Sequence, residues 1–172
     1  MDTSSRQFGL LVAYLLPGFI ALAGIARIVP AVARWLQPTV DQGSTGLGPP
    51  VYAVLAATAL GMVLSCFRWI LIDHLHEWTG IRRPLWDVDR LEARLDAFNA
   101  LVEFHYRYYQ FYANTLIAVA STYLLYRWIG TPALGLPTDI GVLVLIICLF
   151  AGSRDALKKY YGRTEQLIGH GS

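Results

Sequence analysis

Charge is scarce in this chain, and so is most of what a soluble enzyme carries. Only 15% of its 172 residues are Asp, Glu, Lys or Arg, and the formal net charge is +2. So small a balance supplies no basic face for nucleic acid, whose binding rests largely on neutralised phosphates, and nucleic acid is not an expected partner. Cysteine is nearly absent. Cys66 and Cys148 both lie inside apolar runs, with no CxxC spacing and no disulfide framework, and read as small buried hydrophobes. HExxH, HxxxH and ExxH spacings are missing, as are internal repeats and low-complexity tracts. No acidic residue falls in the middle of any long apolar run, which argues against a proton-coupled transporter that needs an intramembrane carboxylate.

Apolar residues fill the space that charge leaves. They make up 55% of the chain, aromatics 13%, and the mean hydropathy is +0.44. That excess over a soluble domain points to a lipid bilayer. A helix crossing the hydrocarbon core needs about 20 apolar residues, and Phe8 to Val29, Val51 to Ile72 and Tyr109 to Ile129 each supply them. A fourth span, over 138–153, contains the most hydrophobic run, Val142 to Phe150, but is short. The flank Ser153 to Tyr161 completes it, with Arg154, Lys158 and Lys159 snorkelling to headgroups; a re-entrant segment is the alternative. Although Ala31-Val32-Ala33 resembles a signal-peptide cleavage site, the first apolar run is too long and its flank, Arg6 against Asp2, too weakly basic. It is read as a retained helix, kinked at Pro17-Gly18.

Basic residues set the orientation, because segments on the inner side carry the excess. Of fourteen Lys and Arg, only Arg27, Arg34 and Arg127 lie towards the side formed by the turn-rich loops Gln37 to Pro50 and Gly130 to Thr138. The expected fold is therefore an all-α, four-helix transmembrane bundle forming one domain, its third span extended into a cytoplasmic helix. Both termini and the segment 73–108 are cytoplasmic. Within that segment Asp87 or Asp89 can cap a helix, Asp89 with Glu92 in capping-box spacing. Leu91, Leu95, Phe98, Val102 and Tyr106 then recur at helical intervals into the third span. One helix from Asp89 to Trp128 would be roughly 60 Å long, half of it projecting below the membrane, with Leu95, Phe98, Val102 and Tyr106 facing a protein partner.

Four clusters are candidates for function. Ala53, Ala57, Gly61 and Ser65 form a small-residue stripe for close helix contact, within the monomer or between subunits. Asn114, Thr115, Ser121 and Thr122 give the third span a polar face, either for interhelical hydrogen bonds or to line a conduit. The run His105-Tyr106-Arg107-Tyr108-Tyr109-Gln110-Phe111-Tyr112 places an aromatic belt at the headgroups, with room for a stacking surface. His74, Glu77, Glu103 and His105 are weak metal-ligand candidates, since neighbours two apart on a helix diverge by about 200°. No nucleophile and base stand at triad spacing, and no cofactor is expected.

Leu16-Pro17-Gly18-Phe19, Arg68-Trp69 with Asp73, Thr79-Gly80 with Pro84 and Trp86-Asp87, the aromatic run and Arg154 to Tyr161 together carry a resemblance. The chain resembles small four-span proteins of bacterial inner membranes that have no established activity. In architecture it is also similar to membrane effectors of bacterial antiphage systems, which implies a channel-like role in antiviral defence. The expected function is a non-enzymatic homo-oligomer that conducts ions or perturbs the bilayer, gated through its cytoplasmic helix. An anchor or assembly subunit, or a metal-binding membrane enzyme, are the alternatives.

Overall fold

The computed structural model describes residues 3–37, 48–85, 87–129 and 135–168. Among them, all regular structure is helical: α1 (Thr3–Ile25), α2 (Pro30–Leu36), α3 (Gly48–Trp78), α4 (Val88–Ala93), α5 (95–128) and α6 (Leu136–Ile168). Two of these, α3 and α6, are long and apolar enough to cross a membrane, and α1 adds a shorter apolar stretch, Leu11–Ile25. Most of the two turn-rich loops lies outside the described residues.

The long helices alternate in direction. Gly61 meets the Tyr14 backbone and Gly18 the Ala57 backbone, so α3 runs against α1. Asn114 reaches the Ala13 carbonyl and Thr122 that of Ile20, so α5 runs with α1. Tyr123 bonds Asp139 at one end while the Tyr106 and Tyr160 rings meet towards the other, so α6 runs against α5. Arg83, Arg94 and Arg154 gather at the end where Asp73, Leu167 and Thr79 lie. Arg27, over the Tyr126 ring, and Arg127, beside Asp139, occupy the other end.

Backbone contact, more than side-chain volume, joins α1 to α3. Ala53, Ala57 and Gly61 are buried and Ser65 is half-buried. A Cβ added at Gly18 would overlap the Ala57 carbonyl, and one at Gly61 the Tyr14 carbonyl. Only a bare Cα permits so close a crossing. Helix α1 continues through Pro17, which is fully buried.

The two halves of α6 face different surroundings. From Leu136 to Phe150 only Leu149 is buried, and Ile140, Leu143, Val144, Leu145 and Ile147 point outward. From Ser153 on, the burial of Ser153, Ala156, Leu157, Tyr160, Thr164 and Ile168 follows helical spacing, with Lys158, Lys159 and Arg163 outside. At 33 residues the helix is about 50 Å long, well beyond a hydrocarbon core of about 30 Å. The fourth apolar segment is thus the first half of one continuous helix.

Three expectations need correction. Cys66 and Cys148 are exposed, because the apolar runs that hold them turn outward. Asp89 to Trp128 is not one helix: the chain breaks at Arg94 (φ −126°, ψ 28°). Tertiary hydrogen bonds explain the break, since the Arg94 guanidinium donates to the Leu167 carbonyl at 2.9 Å and the Asp87 amide to that of Ile168 at 3.1 Å, covering the open carbonyls that end α6. Nor does the first part of α5 project alone, because α6 lies along it, with Leu101, Val102 and Tyr106 against the core around Leu157 and Tyr160. Asp87 caps α4, accepting from the Arg90 amide at 3.3 Å; the Asp89 side chain lies outside the described residues.

Candidate functional site

A buried ionic cluster lies where α3, α5 and α6 meet at the basic end. Each of α3 and α5 contains a π-helical turn there, Trp69–Asp73 and Val102–Tyr106. Arg68 and Asp73 are five residues apart, which on a regular α-helix leaves them about 140° apart. The wider turn between them narrows that angle, and the guanidinium lies 3.8 Å from the carboxylate, their side chains 7% and 13% exposed. Arg68 also lies over the rings of Tyr109 (5.0 Å) and Tyr106 (5.7 Å). The Tyr109 hydroxyl donates to Asp73, and Arg83 reaches both Asp73 (4.0 Å) and Glu77 (3.3 Å).

His76 stands beside this cluster, fully buried, with Phe150 at 5.1 Å and Tyr109 at 6.0 Å between ring centres. Its Nε2 is 3.1 Å from Ser153 Oγ, and that hydroxyl donates its only proton to the Phe150 carbonyl at 2.8 Å. Nε2 must therefore be the donor to Oγ. An imidazole protonated at that nitrogen cannot take a proton from the serine, so the pair joins α3 to α6 and does not activate a nucleophile. Arg154 fastens the same junction by donating to the Thr79 hydroxyl and, at 2.9 Å, to its carbonyl. Gly80, at φ 94°, supplies the left-handed turn that follows.

The metal candidates do not converge. No three His, Cys, Asp or Glu side chains stand together among the described residues. His74 Nδ1 lies 3.1 Å from the Trp69 carbonyl, Glu77 pairs with Arg83, and Glu103 pairs with Arg107 at 2.5 Å. Partial burial, with Arg163 and Lys159 nearby, holds the His105 imidazole below its ordinary value against the opposing pull of Asp155.

The polar face of α5 is divided. Asn114 Nδ2 donates to the Ala13 carbonyl at 3.1 Å and Thr122 Oγ1 to that of Ile20 at 3.2 Å, so both hold α1. Thr115 is buried, while Ser121 is exposed and bonds back to Ala118 in its own helix. Gln110, within the aromatic run, donates to the Tyr14 hydroxyl at 3.2 Å. Asn114→Ala is expected to destabilise the fold by about 1 kcal/mol, the net scale of one hydrogen bond, as denaturant unfolding in detergent would measure. No measurable loss would leave the Asn114 bond without energetic weight.

Of the residues expected to face a partner, Leu95 is exposed and Phe98 half-buried, whereas Val102 and Tyr106 lie against α6. Trp78 and Leu85, not selected from the sequence, are 85% and 84% exposed at the same end. No protein-family model, curated protein or solved structure matches the chain.

Proposed function

We propose that the chain is a four-span, homo-oligomeric protein of the bacterial inner membrane, with both termini inside, and that it acts without catalysis as an anchor or assembly module for a cytoplasmic protein. The outward face of α6 carries this reading. Fifteen residues from Leu136 to Phe150 leave one side chain buried, and an apolar helix so bare requires lipid or another apolar helix around it. The outward faces of α3 and α6 offer surface for a second copy. Trp78, Leu85 and Leu95 at the inner end offer apolar contacts to a partner.

Anchoring is preferred to conduction because Asn114 and Thr122 are engaged with the α1 backbone, which leaves Ser121 as the outward hydroxyl of that set. The protein should remain in membranes washed with alkaline carbonate. Externally added thiol reagents should reach cysteines placed at Ser44 or Thr131 but not at Asp96; labelling at Asp96 in intact cells would reverse the orientation. Proteoliposomes should pass no ions above background, with or without cytoplasmic extract. A flux that Asn114→Leu or Ser121→Leu reduces while expression holds would replace anchoring with the conduit.

A further inference from the structure

The turn that closes α3 holds two apolar side chains, Trp78 and Leu85, almost wholly exposed on a backbone that is fastened along its length. The Gly80 amide donates to the Glu77 carbonyl at 3.1 Å and the Ile81 amide to that of His76 at 3.0 Å, a paired cap around the left-handed Gly80 that ends the helix in one geometry. Arg154 holds Thr79 from α6, and the Ile81 side chain is buried in the core with Leu157 and Tyr160. On either side of Leu85, Arg83 is tied to Asp73 and Glu77, and the Asp87 amide to the Ile168 carbonyl.

Two cations border this turn. Arg154, Lys158 and Tyr161 fall within about 60° of the α6 circumference. Arg154 and Tyr161 meet Thr79 and Arg83, so Lys158 lies on the face turned to the same segment. Arg82 and Lys158 are both exposed, and among the described residues neither meets a carboxylate. Their neighbours Arg83 and Lys159 are the paired ones, with Glu77 and Asp155.

We propose that Trp78 and Leu85, with Arg82 and Lys158 beside them, form the docking surface for an acidic, amphipathic segment of the cytoplasmic partner, its apolar face flanked by carboxylates. The inference rests on the anchor reading above and names the chemistry of that partner. Charge complementarity sets the flanks, since the two cations have no carboxylate of their own. The fastened backbone favours a protein over the bilayer surface. A fluid headgroup layer accommodates mobile side chains as well as fixed ones, whereas two apolar groups held in place lower the ordering cost of binding only against a surface that is itself structured.

The test uses two synthetic amphipathic helical peptides with the same leucine face, one flanked by glutamates and the other by lysines. Each is titrated into the full chain in phosphatidylcholine nanodiscs, with binding to empty nanodiscs subtracted. The glutamate peptide should bind about tenfold more tightly than the lysine peptide at low salt, and the gap should narrow as salt rises. Arg82→Gln combined with Lys158→Gln should weaken the glutamate peptide about tenfold, the scale of two exposed charge pairs. Trp78→Ser should weaken it about thirtyfold, the scale of a buried aromatic anchor. All three side chains are exposed, so these substitutions leave the packing of the helices untouched. Equal affinity for the two peptides, or a glutamate peptide that binds the double charge variant as tightly as wild type, would overturn the proposal. Short-chain phosphatidylglycerol, titrated in detergent and followed by native mass spectrometry, is the competing occupant. Its binding lost in the double charge variant while peptide binding is unchanged would assign the surface to the bilayer and overturn the protein partner. Ion flux across proteoliposomes with the peptide preference intact would count against anchoring and leave this surface standing; no preference and no flux would count against this surface alone.

Discussion

Gly18→Ala is expected to cost about 3 kcal/mol and to separate α1 from α3. The added methyl would occupy the position of the Ala57 carbonyl oxygen, and backbone cannot rotate aside as a side chain can. Gly61→Ala should behave alike, since its methyl meets the Tyr14 carbonyl. Gly24→Ala should be milder because the obstruction is the Thr122 side chain, which can turn. Gly162→Ala has open space within 4 Å and should gain roughly 0.5–1 kcal/mol by stiffening the unfolded chain. Unfolding in a graded denaturing detergent measures all four. Gly18→Ala as stable as wild type would mean that the crossing is looser than the backbone contact requires.

Asp73→Ala should be the most damaging change at the basic end, at about 3–5 kcal/mol, because it leaves the buried Arg68 guanidinium without its carboxylate. Replacing both partners, Arg68→Met with Asp73→Leu, should recover most of that loss, since apolar groups of similar size need no desolvation offset. Arg83→Ala, a half-exposed member of the same cluster, should cost less than about 1 kcal/mol. The ordering matters more than any single value. A double variant worse than Asp73→Ala alone would show that Arg68 stabilises through its two tyrosines and not through the carboxylate.

These residues also mark where sequence pattern was sufficient and where it was not. Ala53, Ala57 and Gly61 are legible because small residues four apart share one helix face whatever lies opposite. Gly18 was hidden by its neighbour: after Pro17 it reads as a kink, although its use is to admit the Ala57 carbonyl. Arg68 and Asp73 escaped because α-helical periodicity sets residues five apart on different faces, and only a π-helical turn brings them together. His74 and Glu77 attracted attention as possible ligands, yet His76 between them is the buried one, facing Ser153 across 77 residues of sequence. The break at Arg94 has the same origin, for its cause is the distant end of α6 and no local breaker precedes it. The polar face of α5 was visible from the sequence, but which of its residues hold α1 depends on how the helices pack.

The order of these partners along the chain bears on how the protein is made. Asn114 and Thr122 donate to carbonyls of Ala13 and Ile20, Gln110 to the Tyr14 hydroxyl, Tyr109 to Asp73, and Arg154 to Thr79. In each bond the donor emerges from the ribosome after its acceptor. Helices α1 and α3 need none of these bonds to meet, because their crossing is backbone against backbone. On the membrane placement proposed above, a nascent chain can release α1 and α3 into lipid as a closed pair, and α5 then carries its polar side chains to acceptors already waiting there. His76, whose partner Ser153 lies in α6, and Asp73, which accepts from Tyr109 of α5, are among the groups that must wait for a later helix, and the proposed orientation sets them at the inner end, where water can hold them until α5 and α6 are synthesised.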